Sequence, residues 1–325
     1  MKAISFIDTK PQVVGTMKPT PKDDEVLVMV HYSALDTALD PVINKTFVGG
    51  MLHKKTDPLF CGWHFSGVVE AVGANVGRDF ETGMQVFGNL QYASTTTQGS
   101  LSEYITVKSD ALAVKPVSMN MDLAAAATTE PLTALQSLRD IGKLPKQGGR
   151  VLINGAGGQV GSCAVQIAKA LGAEEITAIV STKDVAKVTK LGATTVIDRK
   201  KTPNVMGELN PKSFDVIFDT PGKLSARKIT KYLKPKGVYA NPSPDDMLDF
   251  LLGKLFTIFS SKSVKMVMVE SKKADLEQIG QWIANSQLKI DVDSVHDVKD
   301  TATAMHRQND ASKKGRVVVQ VKGGF

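Results

Sequence analysis

The sequence predicts an α/β protein in which a mostly β domain is followed by a doubly wound parallel sheet. In the first third of the chain, short apolar runs alternate with Gly and other turn residues, which is typical of strands. From residue 151 onward, apolar runs alternate with helical patterns, which is typical of a parallel sheet. With 325 residues, the chain suits two domains, and 42% hydrophobic residues provide for a sizeable core.

The first domain is predicted from apolar runs that stop at breakers. The predicted strands cover residues 26–30, 67–72, 85–87 and 104–107. Gly73 and Gly88 directly follow two of these runs, and glycine often ends a strand. Residues 1–113 are therefore predicted to be mostly β.

A glycine cluster then separates a strand from a helix. The apolar run 151–153 stops at this cluster, and a helical pattern continues to Gly172. Glycines allow a sharp turn and close approach of a ligand, while the first amides of a helix favour a phosphate. The pattern predicts a dinucleotide pyrophosphate here, although a strand-to-helix turn without a ligand is the alternative because the motif is not a strict GxGxxG. The predicted contacts are Gly155, Ala156, Gly158, Gln159, Val160 and Gly161.

The next predicted strand, 176–180, indicates which cofactor binds. An NAD site usually places an acid about 20 residues beyond the glycines, and this sequence has Ser181 there. Ser181, Thr182 and Lys183 are predicted to accept and neutralise a 2′-phosphate, which favours NADPH over NADH. The alternative is that Lys183 lies in solvent and Asp184 bonds the ribose.

The alternation continues to the C-terminal part of the chain. We predict helices at 185–191, 224–233 and 274–284, and strands at 195–197, 214–218, 237–240 and 264–269. Ligands bind beyond the carboxyl ends of parallel strands, so Asp219, Thr220 and Asn241 are candidate cofactor contacts. The alternative is that these loops carry turn chemistry only.

Charge and cysteine content limit the functional classes. The net charge of +7 comes from scattered lysines without interleaved aromatic residues, so nucleic-acid binding is not expected. Cys61 and Cys163 are the only cysteines, which excludes a disulfide scaffold and fits a reducing compartment. Neither a signal peptide nor an apolar run of about 18 residues is recognisable, so a cytoplasmic location is expected.

Several motifs occur in an order that resembles one superfamily. They are GVVEAVGANV at 67–76, GSLSEYITV at 99–107, AAAATTEPLTALQSL at 124–138, GRVLINGAGGQVG at 149–161, KLGATTVID at 190–198 and KKGRVVVQV at 313–321. Together they resemble the medium-chain dehydrogenase/reductase superfamily and its zinc-independent quinone oxidoreductase branch. The resemblance implies a GroES-like catalytic domain at 1–120, a Rossmann NADPH-binding domain at 121–269, and a return to the catalytic domain at 270–325.

The positions that hold zinc in relatives carry other residues here. Zinc-dependent relatives have a Cys, a Gly-His-Glu sequence and a second Cys, which correspond to Asp36, residues 62–64 and Thr129. Trp63 occupies the position of the ligand histidine, and neither cysteine is present. We therefore expect no catalytic zinc, because such a site needs three protein ligands.

Without a metal, the resemblance implies hydride transfer from NADPH to a quinone or an α,β-unsaturated carbonyl. The alternatives are reduction of an enoyl or acryloyl thioester, and a structural or regulatory protein that binds NADPH with little turnover. The resemblance also implies a homodimer that pairs through the strand at 264–269. The apolar stretch 247–259 could line the acceptor site, form a dimer surface, belong to the core or rest peripherally on a membrane.

Four residues are candidates for the catalytic chemistry: Asp36, Asp40, His64 and Tyr32. Asp36 could donate a proton or cap the following helix, and His64 could be a general acid or a wall residue. Relatives carry Asn at the position of Asp36 and Asp three residues later, where this chain has Leu39. Thr133 aligns with a threonine that contacts the nicotinamide, and its alternative is a bond to its own helix.

Overall fold

A computed structural model describes residues 1–144 and 148–325. These residues form two compact units, each with its own core. The first unit comprises 1–129, 270–286 and 290–325, and the second comprises 130–269 and 287–289.

The strands in chain order are β1 (Lys2–Ile7), β2 (Lys10–Gly15), β3 (Glu25–Ala34), β4 (His64–Val72), β5 (Gln85–Asn89), β6 (Tyr104–Lys108), β7 (Leu112–Val114), β8 (Gly149–Asn154), β9 (Ala173–Val180), β10 (Thr195–Asp198), β11 (Phe214–Asp219), β12 (Leu233–Asn241), β13 (Ser263–Met266), β14 (Val292–Asp297) and β15 (Arg316–Gln320).

The helices are α1 (Leu39–Ile43), α2 (Phe47–Leu52), α3 (Met121–Ala126), α4 (Thr129–Leu135), α5 (Gln159–Ala170), α6 (Val185–Leu191), α7 (Ala226–Ile229), α8 (Met247–Phe256), α9 (Lys273–Ala284) and α10 (Thr301–Asn309). A π-helical segment, Gln136–Ile141, continues α4. Among the described residues, no helix is long and apolar enough to cross a membrane.

The first unit is built around a mixed sheet of seven strands. The hydrogen-bonded order is β14-β15-β3-β4-β5-β7, and β6 also pairs with β3. In β3 the side chains of Val26, Val28 and Val30 are buried in the core, as alternation along a strand requires. The strand β15, near the C-terminus, lies between β14 and β3, so the return of the chain completes this sheet.

The second unit is a parallel sheet of six strands in the order β10-β9-β8-β11-β12-β13. The order runs outward in both directions from β8 and β11, as in a doubly wound fold whose ligand site lies at the reversal. Val151, Leu152 and Ile153 of β8 are completely buried, which a strand covered on both faces requires. The predicted fold class is therefore confirmed.

One predicted helix is shorter than expected. The pattern at 224–233 predicts a single helix, but α7 ends at Ile229 and a 3-10 turn, Thr230–Tyr232, leads into β12. The hydroxyl of Tyr232 donates to the carbonyl of Met206 at 2.6 Å. This contact anchors the residue that precedes β12, so packing decides the end of the helix here.

Candidate functional site

The turn between β8 and α5 is shaped by two glycines. Gly155 has a φ of +75°, a conformation that side chains disfavour. A Cβ on Gly161 would lie 2.3 Å from the carbonyl oxygen of Gly155, so the helix packs directly on the turn. These close approaches explain why the sequence needs glycine on both sides of the turn.

Gly158 differs from these two glycines, because the space next to it is open. It is exposed, and a Cβ there would meet only the oxygen of Gly155 at 3.4 Å. Gly158 is the N-cap of α5 and gives no side-chain bond to the helix. The first amides of a helix lack intrahelical acceptors, so those of Gln159, Val160 and Gly161 suit an anion. The residues present fit a pyrophosphate group at this turn.

At the end of β9, one hydroxyl is held by a cation. Arg199 follows β10, and its Nη2 donates to Oγ of Ser181 at 2.8 Å. Thr182 and Lys183 are exposed on the following turn. The carboxylate of Asp184 lies against the glycine turn, since a Cβ on Gly157 would be 2.6 Å from its Oδ2. The structure thus places both the predicted 2′-phosphate residues and the alternative ribose partner around the turn.

Arg199 is a cation that no sequence motif indicated. It lies beyond the acidic residue that ends β10, and its position depends on the pairing of β10 with β9. In the parallel register Asp198 pairs with Val180. The next residues, Arg199 and Ser181, therefore lie side by side. This arginine could be recognised from the sequence as a neighbour of Ser181 only if the register of β10 and β9 were known.

The predicted contacts Asp219 and Asn241 are buried in a network that links three strand ends. Asp219 accepts bonds from Asn154 at 2.7 Å, from the hydroxyl of Tyr239 at 2.9 Å and from the amide of Leu224 at 2.7 Å. Asn241 donates to the hydroxyl of Tyr239 at 3.0 Å. Burial raises the pKa of Tyr239, so it remains a donor. This arrangement fixes Asp219 and Asn241 at the ends of their strands, and their contact with the cofactor remains a prediction.

Thr220 is the member of this group that reaches the glycine turn. Its hydroxyl donates to the carbonyl of Asn154 at 2.9 Å, and a Cβ on Gly155 would lie 2.6 Å from that hydroxyl oxygen. Thr133 is buried in α4, and its carbonyl accepts the hydroxyl of Ser137 at 2.5 Å. The predicted contact of Thr133 with the nicotinamide remains a prediction.

In the first unit, Asp36, His64 and Tyr92 form a hydrogen-bonded cluster. The antiparallel pairing of Ala34 with His64 brings β4 beside the end of β3. Nε2 of His64 donates to Oδ2 of Asp36 at 2.7 Å, and the hydroxyl of Tyr92 donates to the same oxygen at 2.5 Å. Nδ1 of His64 lies 2.6 Å from Oγ1 of Thr128. The structure therefore joins two predicted residues and adds Tyr92.

The charges of this cluster are set by burial and by neighbouring groups. Burial alone raises the pKa of Asp36, but the hydrogen bonds from His64 and Tyr92 and the charge of Arg316 hold it below its usual range. Burial and the charge of Arg316 lower the pKa of His64. Burial and the charge of Asp36 raise the pKa of Tyr92. Near neutral pH the cluster holds a carboxylate, a neutral imidazole and a protonated phenol.

Tyr92 is a member of the cluster that no sequence motif indicated. Its ring stacks on Trp63 with centroids 4.9 Å apart. Trp63 is completely buried, so it supplies a fixed platform for the tyrosine. Tyr92 is half-buried, whereas His64 is fully enclosed. A tyrosine next to a buried aromatic residue can be recognised only after strands β4 and β5 are aligned.

Asp36 also forms a local turn. Its Oδ1 accepts the amide of Ala38 at 2.9 Å, while α1 begins one residue later without a side-chain cap. The structure does not place Tyr32 or Asp40 in the cluster. Tyr32 packs beside Ala126 in a separate small core, and Asp40 accepts the side-chain amide of Asn309 at 3.1 Å.

Zinc occurs in related proteins, so the side chains around Asp36 are candidate metal ligands. The described part of the chain contains no group of three or more His, Cys, Asp or Glu side chains that could hold a metal ion. Both ring nitrogens of His64 have protein partners, and Trp63 fills the position of the histidine ligand. These residues do not fit a catalytic zinc.

Comparisons with known proteins identify the family. Residues 22–117 match the family described as the alcohol dehydrogenase GroES-like domain, and residues 191–319 match the one described as zinc-binding dehydrogenase. Together these matches span more than half of the chain. The solved structure of the quinone oxidoreductase from Coxiella burnetii has the same fold, with a TM-score of 0.84, 24% identity and 99% coverage of both chains.

Two relatives extend the similarity along nearly the whole chain. The chloroplastic quinone-oxidoreductase homolog of Spinacia oleracea is 28% identical over 310 residues, covering 93% of this chain and 91% of the relative. The trans-enoyl reductase pgmF of Aspergillus terreus is 29% identical over 362 residues, covering 99% of this chain and 96% of the relative. The chain is an oxidoreductase for which its family implies a nicotinamide cofactor, and it belongs to the medium-chain dehydrogenase/reductase superfamily, in the quinone oxidoreductase-like branch.

Proposed function

We propose that this enzyme is a zinc-free, NADPH-dependent reductase that transfers hydride to a quinone or an α,β-unsaturated carbonyl. The observation that carries the proposal is the cluster of Asp36, His64 and Tyr92. One member, Asp36, occupies a position that aligns with a metal ligand in relatives, and the cluster supplies hydrogen-bond donors instead of a Lewis acid. Such a site suits an acceptor that is already electrophilic.

Tyr92 is the donor best placed to serve the acceptor. When hydride reaches the acceptor, negative charge develops on the carbonyl or quinone oxygen and needs a hydrogen bond or a proton. The raised pKa of Tyr92 keeps its hydroxyl protonated, and its half-buried ring leaves part of the side chain accessible. In the resting site this single O–H donates to Asp36; as negative charge develops, it turns from Asp36 to the acceptor oxygen, and solvent restores any proton that is transferred.

Bound NADPH would supply the hydride. The glycine turn would hold its pyrophosphate, and Thr133 would contact the nicotinamide. Ser181, Lys183 and Arg199 would bind the 2′-phosphate, since guanidinium groups pair well with phosphates. A cytoplasmic homodimer that pairs through β13, an edge strand of the parallel sheet, completes the proposal.

The cofactor assignment can be tested with two charge variants around the turn. We expect Arg199→Ala to weaken NADPH binding about tenfold or more and to leave NADH binding nearly unchanged, because only NADPH carries the phosphate. Asp184→Asn is the matched control and should not weaken NADPH binding. Fluorescence titration with both cofactors measures this. Preferential loss of NADH binding in Asp184→Asn would instead identify Asp184 as the ribose partner.

A second candidate function is reduction of an enoyl thioester. The similarity to a trans-enoyl reductase along nearly the whole chain favours it. This reaction uses the same hydride transfer and also requires a hydrogen-bond donor to the oxygen of the developing enolate. A third candidate, from another class, is a protein that binds NADPH with little turnover.

The acceptor can be identified by measuring NADPH oxidation with a short quinone, a long quinone, an enal, an enone and an enoyl thioester, with NADH in parallel. We expect rapid turnover of a quinone, enal or enone with NADPH. Rapid turnover of the thioester alone would establish the second candidate. Tight NADPH binding without reduction of any acceptor would contradict both enzymatic proposals.

A further inference from the structure

Helix α8 has one buried face and one exposed apolar face. Asp249, Phe250 and Gly253 are buried, and a Cβ on Gly253 would lie 2.6 Å from Cβ of Ala226 in α7. The opposite side continues into the following turn and forms what we call the apolar patch. Its members are more than half exposed: Leu248 (67%), Leu251 (54%), Leu255 (58%), Phe256 (69%), Ile258 (62%) and Phe259 (100%).

The outer end of the apolar patch is held by local hydrogen bonds. The amide of Ile258 donates to the carbonyl of Leu255 at 3.1 Å, and the hydroxyl of Thr257 donates to the carbonyl of Lys254 at 2.8 Å. The amide of Ser260 donates to the carbonyl of Thr257 at 3.1 Å. Phe259 therefore projects from an ordered turn, even though burial of its ring would be favourable by about 2 kcal/mol.

Four lysines lie on the segment that follows this turn and on segments linked to it by hydrogen bonds; we call them the lysine cluster. The ammonium of Lys262 donates to the carbonyl of Thr230 at 2.7 Å, and the amide of Lys236 contacts Oγ of Ser261 at 3.3 Å. The amide of Lys212 donates to the carbonyl of Lys231 at 3.1 Å. The contributing segments, 210–213, 230–237 and 257–263, contain no Asp or Glu, and the fifth lysine in them, Lys234, is paired with Asp215 at 2.7 Å.

The positive charges of the lysine cluster influence each other. Burial first, and then the charge of Lys212, lower the pKa of Lys262. A nearby layer of negative charge would relieve this repulsion. An apolar projection beside a basic cluster matches the chemistry of a bilayer surface, where acyl chains lie beneath anionic headgroups.

We propose that the apolar patch and the lysine cluster dock this enzyme peripherally on an anionic lipid bilayer. Phe256, Ile258 and Phe259 enter the boundary between headgroups and acyl chains, while the lysines contact the headgroups. The contact is superficial, because the buried face of α8 remains packed on its own unit. The proposal is independent of the cofactor and the acceptor proposed above.

A second copy of the chain, seated patch to patch, is a poorer occupant of this surface, and the dimer proposed above pairs through β13 instead. A twofold contact places the same patch of both copies face to face. The two lysine clusters would then approach each other, and like charges across an interface oppose association. An anionic lipid bilayer instead complements both the apolar patch and the lysine cluster.

The test uses the intact enzyme and sedimentation with vesicles of phosphatidylcholine, with or without roughly 30% phosphatidylglycerol. We expect binding to the anionic vesicles only, and weaker binding at high salt. The double variant Ile258→Ser/Phe259→Ser should lose most of this binding. Lys231→Glu/Lys236→Glu should weaken it at least about 20-fold, since each lysine contributes about fivefold.

Matched variants on the other unit separate docking from general effects. Met17→Ser removes an apolar side chain that is 88% exposed, and Lys10→Glu reverses an exposed charge. Both should bind vesicles like the wild type, and all variants should retain NADPH binding. Equal binding by the wild type and both double variants, or no binding of the wild type to anionic vesicles, would overturn the proposal. A dimer that becomes a monomer in Ile258→Ser/Phe259→Ser, with vesicle binding unchanged, would identify the patch as a subunit interface.

Discussion

Tyr92 and Asp36 share one hydrogen bond of 2.5 Å, and the directions of their pKa shifts determine where the proton lies. The pKa of Tyr92 is raised and that of Asp36 is lowered, so the proton remains on the phenol. His64, whose pKa is lowered, also stays neutral and donates to the carboxylate. A single carboxylate thus orients two donors, and only the partly exposed one can serve a ligand.

At this scale we predict that Tyr92→Phe lowers kcat about 100-fold, because a donor to the developing oxyanion is lost. NADPH affinity should be unchanged, since the glycine turn belongs to the other unit. Steady-state kinetics and fluorescence titration measure the two quantities. Tyr104→Phe, a half-buried tyrosine on β6, is the control and should have wild-type kinetics. Unchanged kcat in Tyr92→Phe would show that solvent delivers the proton directly.

A second residue-scale prediction concerns His31, whose pKa is lowered to about 4 by burial and by the charge of Lys322. The unfolded chain, with a histidine pKa of about 6.5, binds this proton first as the pH falls. Stability associated with neutral His31 is therefore present above about pH 6.5 and is lost between that value and about pH 4. Because the side chain is only half-buried, we expect a contribution of about 1 kcal/mol between pH 7 and 5.

Urea unfolding at pH 7 and pH 5 tests this contribution. His31→Gln should show a smaller loss of stability between the two values than the wild type, because it cannot take up the proton. His306→Gln removes an exposed histidine on α10 and should retain the wild-type dependence. An identical loss in His31→Gln and the wild type would exclude a role for His31.

At the scale of elements, the β8-turn-α5 unit contains a tightly packed glycine, Gly161, and an open one, Gly158, next to which we propose that the pyrophosphate binds. Gly161 lies against the backbone of the turn, where a Cβ on this residue would be 2.6 Å from Cα of Ala156. Gly158 has ordinary extended dihedral angles, φ −72° and ψ 177°, and open space around it. The same substitution should therefore have opposite consequences at these two positions.

We predict that Gly161→Ala destabilises the protein by about 3 kcal/mol, because the backbone must move to admit the methyl group. Gly158→Ala should change stability by less than about 0.5 kcal/mol, while the methyl group keeps a pyrophosphate from the amides of α5. Unfolding followed by far-UV circular dichroism and NADPH titration measure both effects. Full NADPH affinity in Gly158→Ala would contradict the placement of the pyrophosphate at this turn.

At the scale of the molecule, the first unit is assembled from segments distant in the chain. Val318 of β15 is completely buried and pairs with Ala34 of β3. Both tryptophans, Trp63 and Trp282, also lie in this unit. Tryptophan fluorescence therefore reports unfolding of the first unit, whereas NADPH binding reports on the second.

We predict that Val318→Ala lowers the free energy of unfolding measured by tryptophan fluorescence by about 2 kcal/mol, because it leaves a cavity in the sheet core. NADPH affinity without denaturant should remain unchanged. Val117→Ala, at a fully exposed position, should alter neither property. Loss of NADPH binding in parallel with fluorescence would show that the two units unfold together.

Local sequence patterns predicted much of the architecture. Helix α6 has the predicted limits, and the strand-turn-helix at the glycine cluster has the predicted order. Alternation, glycine punctuation and helical periodicity act over a few residues, so they can be recognised without the fold. The candidate residues Asp36 and His64 were also found from the sequence, although as separate candidates.

What the sequence by itself determined was the fold class, the glycine turn and the absence of zinc-type residues at the aligned positions. Only the tertiary structure placed Tyr92 on Asp36 and Arg199 on Ser181, because each contact depends on which strands are neighbours and in which register. The tertiary structure also decided that the apolar residues of α8 face outward. Periodicity identifies an apolar face, but the packing of Gly253 on α7 determines which face remains exposed.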